Sequence, residues 1–259
     1  VPNGQYLDYL WKAASMQAWA DAFRAGTLTP TQAQFFLPKP AEELFDATTD
    51  PDNVVNLATD PAFAHDLARL RAALHERLLS IRDTGFLPEA RLQGAAVAPP
   101  AQTLAADEAD YPLTRLLPAL DRMQLHGDAA VVDAALSDPS PVVRWWAASS
   151  AALLPREPDG LAALLEDADV NVRTAAAESL LRRRSDPSAV AALSAVLLSK
   201  EDWPVRLAAA NSVARLPDRT PFLKALQACD QSEEYLQRLV PWLLGQGRAG
   251  LDEDFLPSR

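Results

Sequence analysis

A single cysteine, three histidines and nine glycines leave this 259-residue chain poor in the residues on which much catalysis depends. With Cys229 alone there can be no intrachain disulfide and no multi-cysteine zinc site. No histidine lies near it in sequence, so it reads as a small buried side chain on a helix rather than a catalytic thiol. There is no glycine-rich phosphate loop, no His-Glu-x-x-His and no Gly-x-Ser-x-Gly elbow. His65 and His75 share one predicted helix but sit about 15 Å apart along its axis, too far to hold one metal together, and His126 precedes the repeats. Positive charge is also short. The formal net charge is -11, which sets the long-range field against nucleic acid and anionic membranes. No run approaches the roughly 20 apolar residues that span a bilayer. The opening "VPNGQYLDYLW" lacks the basic and apolar regions of a secretory signal and assigns no compartment.

Apolar content is ordinary at 49%, so a folded protein is expected. Leu7, Leu10, Trp11, Ala14, Ala18 and Phe23 mark one helical stripe that Gly26 stops, and Thr29-Pro30 offers an N-cap followed by proline at the first helical position. Asp50-Pro51 and Asp60-Pro61 mark turns. Phe63, Leu67, Leu70, Leu74, Leu78 and Ile81 then recur at helical spacing over residues 62–81, predicting a long helix that needs a surface to cover. The acids in "TDPDN" and "EDAD" read as helix caps rather than calcium ligands. Residues 93–110, with Pro99-Pro100, read as a linker or packing arm.

The rest repeats. "VRWWAASSAALL", "VRTAAAESLLRR" and "VRLAAANSVARL" begin at Val143, Val172 and Val205, 29 and 33 residues apart. Arg144, Arg173 and Arg206 fall in register, as do Ser150, Ser179 and Ser212, and each segment precedes a second apolar stretch. Helix pairs that cannot bury their inner faces alone stack into an α-solenoid. In that arrangement the serines bond back to a helix carbonyl or fit a crowded contact, and the arginines form a ladder with Asp138, Asp167, Asp169 and Asp202. Adjacent helical residues point about 100° apart. Trp146 therefore falls toward Ala147, Ser150 and Leu153, while Trp145 covers a neighbouring helix or faces a partner.

"DPSPVVRWWAASSAALL" and "EDADVNVRTAAAESLLRR" make residues 112–245 resemble a HEAT-like repeat array. A second resemblance rests on Glu43, Leu44, Phe45, Asp46, Asp50, Pro51, Asn56 and Leu57, which match the C-terminal motif of bacterial sulfatases, with residues 1–92 similar to that family's C-terminal subdomain. The expected fold is therefore mainly α, an α-solenoid of HEAT-like helical repeats (111–245) preceded by a small, incomplete sulfatase-like C-terminal subdomain (1–92), with 93–110 as linker and 246–259 as tail. The sulfatase resemblance implies an upstream α/β catalytic domain, calcium and a formylglycine nucleophile in a complete parent that hydrolyses sulfate esters. It also implies a periplasmic or extracellular setting. Cys229, in Cys-Asp-Gln-Ser-Glu, does not match the nucleophile motif, so no catalytic, cofactor or metal residue carries over. The leading expectation is a noncatalytic end of such a hydrolase, whose helical array packs on the upstream catalytic domain, on a separate protein or on a second copy. The alternative is an independent HEAT-repeat protein-binding scaffold. Trp145, Trp203 and Trp242 are the candidate partner-binding residues, with carbohydrate recognition as a third reading for them.

Overall fold

The structure, a computed structural model, describes residues 13–92 and 100–245. Leu7, Leu10 and Trp11 of the first predicted stripe, residues 93–99 of the expected linker and the tail 246–259 lie outside the described residues. The chain divides into two compact units, 1–77 with 247–259, and 78–246.

In the first unit, α1 (Ala14–Arg24) packs on α2 (Pro30–Ala33) and the 3-10 turn Gln34–Phe36 that continues it. Thr29 caps α2 by accepting the Gln32 N–H, and the Gln32 side chain accepts the Thr29 N–H in return at 3.0 Å. The core here is small. Met16, Ala20 and Phe36 are buried, and Phe23 stacks on Phe36 with ring centroids 4.6 Å apart. The Trp19 indole donates to the Gln32 carbonyl at 3.1 Å and ties the two helices.

Residues 42–60 form a loop held by its own polar groups. Asn56 Oδ1 accepts the N–H of Leu44 at 2.9 Å and of Ala58 at 3.0 Å, and its amide donates to the Glu42 carbonyl at 3.2 Å. Asp46 accepts from Thr48 and Thr49, and Asp50 accepts the Val55 N–H at 2.8 Å. Among the residues matched to the sulfatase motif, Asp46, Asp50 and Asn56 thus serve turn geometry, each satisfying backbone or hydroxyl donors that a loop would otherwise expose, while Glu43 pairs with Lys39 at 3.6 Å. No β-strand occurs among the described residues. An alkaline-phosphatase-like fold is built around a sheet, so residues 1–92 do not form a sulfatase-like subdomain, and that part of the expected fold is corrected. The helix α3 (Ala64–Ile81) follows as predicted, with Arg71 gripping Glu42 through two 2.6 Å hydrogen bonds. None of its residues is buried, and Leu70 and Leu74 are exposed.

In the second unit α3 ends at Arg82, whose φ of 50° is left-handed, and the Asp83 N–H returns to the Leu78 carbonyl at 3.0 Å. The chain then enters a strap over residues 83–92 with Leu87 buried. Three side chains pin it. The fully buried Tyr111 donates to the Asp83 carbonyl, Trp146 donates to the Phe86 carbonyl at 2.8 Å, and Arg91 pairs with Asp110 at 2.9 Å.

The helices α4 (Ala101–Ala106), α5 (Leu113–Leu120) and α6 (Ala129–Ala135) lead into the repeats. Pro118 removes one N–H from α5, and the helix loosens into a π turn at Asp121–Leu125. The three Val-Arg segments form α7 (Pro141–Ala151), α8 (Val170–Leu181) and α10 (Trp203–Ala214). Their return elements differ. After α8 comes α9 (Pro187–Leu197), after α10 comes α11 (Leu223–Ala228), but after α7 the expected second helix is only the 3-10 segment Ala162–Glu166. The last helix is α12 (Glu234–Leu243).

Alanines at 147, 148, 176, 177, 209 and 210 are all buried, which lets α7, α8 and α10 approach closely. Polar side chains lock each repeat to the next. Arg144 donates back to the Asp138 and Pro139 carbonyls and forward to both carboxylate oxygens of Asp167, at 2.7 and 2.9 Å. Arg115 makes the same forward grip on Asp138, and Arg206 reaches Asp230 at 3.1 Å. Among the described residues Arg173 makes the backward half alone, to the Asp167 and Ala168 carbonyls, and the interval to α10 here is four residues longer than the one before. The carboxylates are themselves turn caps: Asp138 accepts the Ser140 N–H and Asp167 the Asp169 N–H, each at 2.8 Å. The three serines are buried and face the preceding repeat. Ser150 accepts from Gln124, Ser179 donates to the Ala148 carbonyl, and Ser212 donates to Glu178 at 2.8 Å.

Candidate functional site

The repeat register explains a groove that the packing leaves open. Trp146, Ala175 and Ala208 are equivalent positions on α7, α8 and α10. At the α7 end the large indole fills its place, with the ring 6.3 Å from Phe86 of the strap. At the other two the alanine methyls leave space, and a groove of about 190 Å³ lies over Ala175 and Ala208. Pro88, Glu89 and Ala90 of the strap form its rim.

A second register row, Ser149, Glu178 and Asn211, runs along the groove, and Asn171 from the first turn of α8 joins it. Glu178 is the one acid on the helix faces of the groove, and Arg215 neutralises it through hydrogen bonds of 2.8 and 2.6 Å. Burial would push the Glu178 carboxyl up. The Arg215 guanidinium, the Ser212 hydroxyl and the nearby Arg182 outweigh that and hold it below the usual carboxylate range. Asn171, Asn211 and Ser149 form no side-chain hydrogen bond with any described residue, so two carboxamides and a hydroxyl are open to a ligand. The helix faces thus present neutral polar groups and one closed ion pair beside apolar side chains.

The two tryptophans that open α7 have different surroundings. Their rings meet edge to face at 4.8 Å. Trp146 binds the strap, whereas Trp145 lines the groove. Leu153, placed by its spacing on the Trp146 side, is 61% exposed. Trp203 stacks on Tyr235 of α12 at 5.9 Å, and Trp242 lies under the Arg219 guanidinium at 4.4 Å. The groove lining includes neither, so Trp145, Trp203 and Trp242 do not converge on one pocket. Cys229 is buried, and its thiol is pushed up by burial. Sequence reasoning missed Asn171, Asn211 and the Ala175–Ala208 gap; aligning the repeats on the bulk of position 146 would have exposed the gap.

Among the described residues no group of three or more His, Cys, Asp or Glu could hold a metal ion. The residues present therefore do not fit the calcium and formylglycine site that the sulfatase resemblance implied, and that expectation is withdrawn. No helix among the described residues is long and apolar enough to cross a membrane.

Comparison with known proteins agrees with the helical part. Residues 128–214 and 158–244 match the HEAT repeats family. A stretch of 93 residues, 35% of this chain, is 39% identical to an ulvan-active sulfatase of Formosa agariphila, and it covers 16% of that enzyme. The chain thus spans about a sixth of the length of that relative. No solved structure matches. The local likeness does not bring a sheet or a metal cluster with it, and the reading of this chain as the noncatalytic end of a sulfatase-like hydrolase is overturned. The architecture is that of HEAT-like repeats, generic scaffolds for protein interaction.

Proposed function

We propose that this chain is a HEAT-repeat scaffold that binds another protein along the first helices of its repeats. The observation that carries this reading is the groove over Ala175 and Ala208, where Asn171, Asn211 and Ser149 present hydrogen-bonding groups that no other described residue engages. Buried polar groups in native proteins find partners, and groups half-open in a groove are satisfied by a ligand or by water. Trp145 supplies an aromatic wall of the kind enriched at binding surfaces.

Site-specific photo-cross-linking tests the reading. A photoreactive side chain at position 149, beside the groove, is expected to give a discrete protein adduct in extract from the native cell, and one at the exposed Leu198 is not. The adduct should vanish when Ala208→Phe fills the groove. Equal labelling at both positions, or labelling indifferent to Ala208→Phe, would overturn the assignment.

A further inference from the structure

The space over Ala175 and Ala208 is compact. The strap meets α7 where Trp146 holds the Phe86 carbonyl at 2.8 Å, Leu87 and Pro88 are buried, and the turn Glu89–Arg91 then packs on α10. The strap therefore bounds the space on one side, and about 190 Å³ is left between it and the helices. Clefts that take drug-sized molecules run to about 300–1,000 Å³. A volume below that range suits one long side chain rather than a length of main chain.

The lining carries a surplus of negative charge. Two carboxylates, Glu89 and Glu178, stand against one guanidinium, Arg215, and Arg215 is closed on Glu178 by hydrogen bonds of 2.8 and 2.6 Å. Glu89 supplies the surplus, and the net charge of -11 adds a long-range field of the same sign. Three further acceptors come from three helices: the hydroxyl of Ser149 and the carboxamide oxygens of Asn171 and Asn211. Asn171 is only 8% exposed, yet its carboxamide makes no hydrogen bond with any described residue. A polar side chain buried that deeply is expected to have a partner. Trp145 is the aromatic wall, and because Trp146 meets it edge to face, at least one face of its indole has no ring against it.

We propose that this space receives an arginine side chain of the partner protein, with its guanidinium against Trp145, its N–H groups donated to the oxygens of Asn171, Asn211 and Ser149, and its charge matched by Glu89. A guanidinium has five donors and no acceptor in one plane, so it meets several fixed oxygens at once, whereas an ammonium is a point charge. Its flat face is attracted to an indole. The chain makes that pairing elsewhere with its own residues, where Arg219 lies 4.4 Å from the Trp242 ring. This assignment rests on the scaffold reading and goes beyond it by naming the group the partner inserts.

The test titrates the full chain with arginine blocked at both ends, N-acetyl-L-arginine N-methylamide, and follows the indole N–H NMR signal of Trp145. A saturable shift is expected. Blocked citrulline, which keeps the shape and loses the charge, should bind at least about tenfold more weakly, and Glu89→Gln and Asn171→Ala should each weaken blocked arginine about tenfold, the size of one hydrogen bond to a charged group. Ala208→Phe should abolish the shift, and Leu198→Ala, at an exposed position outside the lining, should leave it unchanged. Circular dichroism checks that each variant folds; Glu89→Gln adds no bulk at an exposed position and keeps the test open if Ala208→Phe does not fold. No saturable shift, with the cross-linked adduct at position 149 intact, would overturn the arginine and leave the scaffold. Equal binding of blocked citrulline or blocked lysine would also overturn it. Tighter binding of free L-arginine than of the blocked form would overturn it in favour of a small-molecule site.

Discussion

Arg144 and Asp167 join two repeats by a two-pronged hydrogen bond, Nε to Oδ2 at 2.7 Å and Nη2 to Oδ1 at 2.9 Å, with the side chains 17% and 7% exposed. Because Asp167 also caps the turn before α8 and Arg144 also holds the turn before α7, one pair fixes the spacing of two consecutive turns. Arg144→Lys cannot reproduce the fork. Equilibrium unfolding is expected to show a loss of about 2 kcal/mol for Arg144→Lys and more for Arg144→Ala, which leaves Asp167 without its counter-charge. Midpoints unchanged in both variants would remove the pair from the account.

The same carboxylates set an acid limit on stability. Burial alone would raise Asp138 and Asp167, but Arg115 on the first and Arg144 on the second, with the Ser140 and Asp169 N–H groups, hold both below the ordinary value of 3.8. A depressed carboxyl contributes stability above its unfolded value that is lost as pH falls through the folded one. Stability should therefore be flat above about pH 5 and decline below pH 4 or so. Asp167→Asn should shallow that decline, and an identical pH profile in the variant would count against the assignment.

Tyr111 gives the opposite sign. It is fully buried, and burial, followed by the nearby Asp83 charge, pushes its phenol up to about 12. A raised folded value favours the neutral form, so the contribution is complete below the unfolded value of 10 and disappears as pH rises through the folded one. Absorbance of ionised tyrosine should show one of the four tyrosines titrating late, and Tyr111→Phe should remove that late step. Because the phenol donates to the Asp83 carbonyl, the variant should also cost about 1 kcal/mol.

Trp145 and Trp146 separate by role. Trp146→Ala removes the ring against Phe86 and the indole bond to its carbonyl, and a half-buried indole with one such bond is expected to cost about 2–4 kcal/mol. Trp145→Ala should cost about 1 kcal/mol or less while weakening ligand binding. Equal destabilisation by both, measured by thermal unfolding, would contradict the division.

How far the sequence carries the fold depends on what each signal encodes. The Val-Arg register at 143, 172 and 205 reports nearest-neighbour stacking, a local property, and it locates α7, α8 and α10 directly. Asp169 and Asp202 look equivalent to Asp167 from their place before a helix. Yet Asp169 caps α8, and Arg206 pairs with Asp230 of the following turn, since the arginines reach forward by a distance that spacing alone does not reveal. The Glu43–Leu57 motif was misread because turn-forming acids and an asparagine make a hydrogen-bonded loop in any surroundings; their pattern carries no sheet with it. The groove was invisible to a motif search because it consists of missing volume at Ala175 and Ala208.

The most direct measurement compares the indole N–H NMR signals of the six tryptophans in the free chain and in its complex with the protein captured at position 149. The account predicts that the Trp145 signal moves in the complex while those of Trp203, on Tyr235, and Trp242, under Arg219, stay in place. A shift confined to Trp203 or Trp242, or a Trp145 signal unmoved in the complex, would contradict the claim that the face over α7, α8 and α10 is where this scaffold binds.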